Sequence, residues 1–73
     1  MSNASIVMPP AGQALRQSPI PALRHLQVEE TDHEVVLSGS VATYYMKQLA
    51  QEAVMPLLGD RRLRNRVLVV RSS

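Results

Sequence analysis

The apolar positions of this chain change period twice, and the changes divide it into elements. From Leu26 onward apolar residues recur at every second position: Leu26 and Val28, then, after polar Thr31 to Glu34, Val35, Leu37, Gly39 and Val41. Side chains of an extended chain alternate between faces, so this spacing predicts two strands with one packed face each. The first covers 23–30, with His25, Gln27 and Glu29 turned to water; the second covers 35–42, with Val36, Ser38 and Ser40 turned out. Thr31-Asp32-His33-Glu34 is then a hairpin turn, because Asp and His tolerate left-handed backbone better than most residues. Gly39 offers the packed face no side chain, which implies that another backbone, expected to be a helix, comes close to it.

Beyond Thr43 the period becomes helical. Met46, Leu49, Ala50, Ala53, Val54 and Leu57 follow the spacing of one helix face, with Lys47, Gln48, Gln51 and Glu52 opposite. Thr43 is placed to cap this helix by accepting a hydrogen bond from an orphan amide. Pro56 cannot donate to the carbonyl four residues back, so the helix ends or kinks near Met55, and Gly59 marks the turn out. Alternation returns at Leu63 to Val70, a third strand with Leu63, Val67 and Val69 inward. A strand, a helix and a strand in succession cross over right-handedly, so strands two and three run parallel while strands one and two, joined by a hairpin, run antiparallel.

Ahead of the strands, residues 1–10 have no period and end in Pro9-Pro10, which reads as a disordered leader. Residues 11–18 hold one short helix that Pro19 stops near Gln17, and Pro19-Ile20-Pro21 is a stiff connector. Ala14, Leu15 and Ile20 are expected to tie that helix to the core. The expected fold is therefore one α+β domain over 11–71 in the order αββαβ, two helices packed on one face of a three-stranded mixed sheet.

Composition narrows what such a domain can do. A chain of 73 residues has a core worth only about 3–5 kcal/mol net. Without cysteine there is neither disulfide nor thiolate chemistry. Tyr44 and Tyr45 are its two aromatic residues, too few for the stacking platforms that single-stranded nucleic acids need. No run of eighteen apolar residues occurs, and no signal-peptide pattern opens the chain. The expectation is a cytoplasmic protein if Met1 is the natural start. Met1 to Ala4 also resembles a vector remnant, and for a trimmed fragment the expectation becomes periplasmic or envelope-associated.

The net charge of +2 conceals an asymmetry. Residues 1–60 carry Arg16, Arg24 and Lys47 against six acids, whereas residues 61–73 carry five arginines and no acid. A basic strip thus ends a mildly acidic body, an imbalance that attracts anionic surfaces or acidic partners.

Taken together, Val35-x-Leu37-Ser38-Gly39-x-Val41, the Lys47-Gln48-Leu49-Ala50-Gln51 helix, and Gly59-x-x-x-Leu63-x-Asn65-x-Val67-x-Val69, in the order helix, strand, strand, helix, strand, resemble the BON domain family over roughly residues 11–70. Ala14-Leu15-Arg16-Gln17-Ser18-Pro19 and Tyr44-Tyr45-Met46-Lys47-Gln48 look like one bacterial branch of it. The resemblance implies a small non-catalytic module of the kind associated with envelope proteins, phospholipid and protein interactions. His33 departs from the family's usual hairpin glycine, and Asp60 from the apolar residue that usually follows Gly59. No ligand motif of the family falls on particular residues here.

The residues themselves offer one candidate surface. Arg62, Arg64 and Arg66 alternate along one face of the third strand, with Arg61 at its start, and are expected to contact an anionic phospholipid surface or an envelope protein. Three such side chains contribute about 3 kcal/mol at an anionic bilayer. The same arginines also suit a solvated open face, a protected edge or cross-strand pairs with acids such as Glu29. Tyr44 is expected to be exposed beside them and Tyr45 to join the helix stripe ahead of Leu49. Leu68 and Val70, turned outward, extend Val36 into an apolar patch that fits a protein interface or weak homo-oligomerisation. Nucleic acid is disfavoured by the acidic body. His25, His33, Asp32 and Glu34 lack the convergence that a metal or an acid–base pair requires, and Ser38-Gly39-Ser40 is no nucleophile elbow. The sequence points to a binding module that is no enzyme and uses no cofactor or metal. The alternative is a cytoplasmic protein-interaction or homo-oligomerisation domain.

Overall fold

Helix α1 (Pro10–Arg16) places Ala11 and Leu15 one turn apart, and both are buried. It belongs to a computed structural model that describes residues 10–71. The leader expected over 1–10 lies outside the described residues except for Pro10. After the Pro19-Ile20 connector comes a single helical turn, α2 (Pro21–Arg24), where a strand was expected to begin. Pro21 supplies the φ of a first helical position, and extended Ile20 leads into it. The turn buries Leu23, and Arg24 Nε donates to the Ser18 carbonyl at 2.9 Å. The first strand is therefore shorter than its alternation implies: β1 spans Gln27–Glu30.

Strand β2 (Glu34–Ser38) pairs antiparallel with β1, joining Glu29 to Val36 and Glu30 to Val35. Their hairpin needs no left-handed residue; among the described residues positive φ occurs only at Gly39 and Gly59. Thr31 does the work instead. Its amide donates to the Glu34 carbonyl at 2.9 Å, and its hydroxyl accepts from the amides of His33 and Glu34 at 3.2 and 3.0 Å. This side-chain staple replaces the glycine turn.

Helix α3 (Tyr44–Val54) begins as expected, with Thr43 Oγ1 accepting from the Met46 amide at 3.1 Å. Ala50 and Val54 are fully buried, and Met46, Leu49 and Ala53 pack against the core. At Pro56 the chain tightens into a 3-10 turn, Met55–Leu57, which leaves Leu57 partly exposed. Tyr45 departs from its expected place and is as exposed as Tyr44, at 70% and 63%. It stands on the flank of the stripe, since each helix residue turns the face by about 100°.

Strand β4 (Arg62–Asn65) lies beside β2 and parallel to it, giving the sheet order β1-β2-β4. The mixed α+β architecture is thus as the sequence implied, with α1 against β1 and α3 and the short α2 added to the same core. Two expected strands are each divided. Gly39 separates β2 from β3 (Ser40–Val41), and Arg66-Val67 separates β4 from β5 (Leu68–Val69), which pairs parallel with β3. At Gly39 φ is +121°, and a Cβ there would stand 2.9 Å from Leu26 Cδ2 and 3.6 Å from Leu26 Cα. The close neighbour is thus the residue leading into β1, not a helix. Leu15, Leu23, Val35, Leu37, Val54 and Val67 are the largest fully buried side chains, an aliphatic core as the composition requires.

Candidate binding face

The breaks in the strands leave their pairing intact. Arg66, Leu68 and Val70 donate their amides to the carbonyls of Leu37, Gly39 and Val41 at 2.8, 2.9 and 2.8 Å. Arg62, Arg64, Arg66 and Leu68 therefore keep facing outward, while Leu63, Asn65 and Val67 turn toward the helices. Asn65 holds this phase across the break. Its Oδ1 accepts from the Val67 amide at 3.1 Å, and its Nδ2 donates to the Lys47 carbonyl and Gln51 Oε1 on α3 at 3.4 and 3.3 Å. Arg62 and Arg64 thus stand on the edge strand β4, Arg66 follows in the break, and Leu68 continues on β5 of the two-stranded sheet, while Val70, just past β5, lies beside Ala22 and Met46; Leu68 and Val70 are 65% and 54% exposed.

Arg62 and Arg66 extend into solvent. Arg64 Nη1 lies 3.7 Å from Glu34 Oε1, a long and exposed ion pair worth little on its own. Arg61 stands apart from the strip it was expected to start. Its guanidinium turns inward, with Nη1 donating to Glu30 Oε1 at 2.8 Å, Nε to the Leu58 carbonyl at 2.9 Å and Nη2 to the Leu57 carbonyl at 2.8 Å. The Glu30 side chain is only 7% exposed because register sets it opposite buried Val35 on the helix-covered face. Arg61 thus neutralises a buried carboxylate and caps the end of the 3-10 turn. Sequence alternation showed the strand face of Arg62, Arg64 and Arg66 but had no signal for the Glu30 contact.

An open groove of about 760 Å³ borders the strip, with Val36, Ser38, Ser40, Lys47, Arg66 and Leu68 in its lining. Tyr44 begins α3 at the Val70 end of the sheet, three residues after Val41. His25 and His33 are exposed, and among the described residues no group of three His, Asp or Glu side chains is placed to hold a metal. No helix of the described residues is long and apolar enough to cross a membrane.

A family model, the BON domain, matches residues 11–71. The chain belongs to the BON domain family. Comparison with curated proteins and with solved structures returns no match. BON domains are generally non-catalytic binding modules, to which phospholipid binding and protein interaction are ascribed. In this BON domain Ser38 and Ser40 lie on β2 and β3, and exposed Arg62 and Arg64 on the neighbouring strand β4.

Proposed function

We propose that this BON domain is a peripheral module that docks on anionic phospholipid surfaces through Arg62, Arg64 and Arg66. Leu68, Val70 and the Tyr44 ring meet the headgroup boundary at the far end of the strip. The observation that carries this reading is the exposure of Arg62, Arg64 and Arg66 at alternate positions, followed in the chain by exposed Leu68 and Val70. Arginines beside an anionic leaflet contribute about 1 kcal/mol each, so three give roughly a hundredfold enrichment. Partial burial of Leu68 and Val70 adds on the order of 1 kcal/mol. Glu29 and Glu34 share the face and subtract from its attraction. One copy therefore binds weakly and reversibly, and firm attachment requires several copies in one assembly.

Vesicle flotation tests the reading. The domain is expected to float with vesicles rich in phosphatidylserine or phosphatidylglycerol and to remain behind with pure phosphatidylcholine. Arg62→Ser, Arg64→Ser and Arg66→Ser combined should abolish the difference, and Leu68→Ser with Val70→Ser should weaken binding without removing its charge preference. Equal recovery on neutral and anionic vesicles, unchanged by the triple substitution, refutes the proposal.

A further inference from the structure

We propose that two copies of this chain associate face to face through their open sheets, about a two-fold axis running along β2. Across the middle of the face stand Glu29 of β1, Val36 of β2 and Arg64 of β4, an acid, an aliphatic and a cation in one row. An axis parallel to β2 turns this row over on itself. Val36 of one copy then meets Val36 of the second on the axis, and each Glu29 lies over the Arg64 of the other copy. The contact is isologous, so the pairing is made twice. An axis across the strands would instead set β4 over β4 and oppose arginine with arginine. Charge therefore selects one of the two orientations.

The groups involved are available. Among the described residues no ion pair engages Glu29, Arg62 or Arg66, and Arg64 has only its long contact to Glu34. Glu34 lies near the axis, where repulsion from the Glu34 of the second copy is offset by Arg62, its register partner, and by Arg64, 3.7 Å away. Packed sheets stand about 10 Å apart, a gap that glutamate and arginine side chains bridge from opposite sides. Three strands of four or five residues give a face well short of the roughly 800 Å² per partner of a stable interface. The association is consequently weak and salt-dependent. It stands independently of lipid binding, and because both use the same arginines, a dimer masks the strip that a membrane would contact.

Sedimentation equilibrium on the full chain tests this, at low ionic strength and at about 0.5 M salt. Wild type is expected to show reversible monomer–dimer association below about 1 mM, at least tenfold weaker in high salt. Glu29→Arg and Arg64→Glu should each be monomeric alone, because each opposes like charges twice. Mixed in equal amounts they should form a heterodimer, since both crossed pairs then attract, and the double variant should self-associate again. Circular dichroism checks that both single variants remain folded. A wild type that stays monomeric to about 1 mM overturns the proposal, and so does association in which the two variants fail to combine. Glu29→Arg keeps the arginine strip and should bind anionic vesicles at least as well as wild type, so loss of dimer and loss of lipid binding are told apart.

Discussion

Replacing Gly39 by alanine should destabilise this domain by about 2–4 kcal/mol. The residue has φ +121°, and the added Cβ would meet Leu26 Cδ2 at 2.9 Å. Holding an L residue in so sparsely populated a region costs about 1–3 kcal/mol. The leucine must also turn away, and forcing a buried side chain off its rotamer adds about 0.5–1.5 kcal/mol; Leu26 is 5% exposed and has little room. The Leu26 Cα, 3.6 Å from the new atom, is at ordinary contact distance and adds nothing. Against a total stability of about 3–5 kcal/mol, the substitution leaves the domain marginal, with a fall in melting temperature of at least about 8 °C. Urea denaturation followed by circular dichroism measures it, with Gly59→Ala as the control. Gly59 has φ +64° and open space around its Cβ position, so only the left-handed backbone is penalised there, at about 1–2 kcal/mol. If Gly39→Ala stays within about 0.5 kcal/mol of wild type, or falls below the cost of Gly59→Ala, the close approach to Leu26 is not a constraint on the fold.

Removing Arg61 as Arg61→Met strands the Glu30 carboxylate in a side-chain environment 7% exposed, and the expected loss is about 3–5 kcal/mol. Glu30→Leu combined with Arg61→Met should recover most of that loss in urea denaturation; a double variant as unstable as the single would show that the pair is not what Arg61 contributes. Asn65→Ala deprives the Val67 amide of its acceptor and α3 of its tether, for an expected loss of about 1–3 kcal/mol. Faster hydrogen exchange at Val67 and along β5 would confirm it, and unchanged exchange would contradict it. Thr43→Ala should cost about 1 kcal/mol through the lost cap while Thr43→Ser stays close to wild type, both read from the midpoint of thermal unfolding.

Elements that rest on local pattern were legible in the sequence. Thr43 caps α3 because a hydroxyl at that point meets an orphan amide whatever lies around it, and Pro56 ends the helix because it has no donor. Alternation from Val35 and from Leu63 gave the strands, and the right-handed crossover gave their parallel pairing. The same alternation placed Arg62, Arg64 and Arg66 on one face before any packing was known. Tertiary structure decided the rest. Leu23 reads as the start of a strand but winds into α2, because Pro21 starts a turn that buries it. Tyr45 fits the helix stripe by spacing yet stands exposed, since burial depends on what lies opposite a side chain. Gly39 marks a close approach in either reading, but only the fold names Leu26 as the neighbour. Arg61 is the clearest case. In residues 61–73 it is one arginine among five, and the register that turns Glu30 inward makes it part of the scaffold. Period and capping are properties of neighbours in sequence; which charges are free and which are held depends on residues as far apart as Glu30 and Arg61, 31 positions, which only the folded chain brings together.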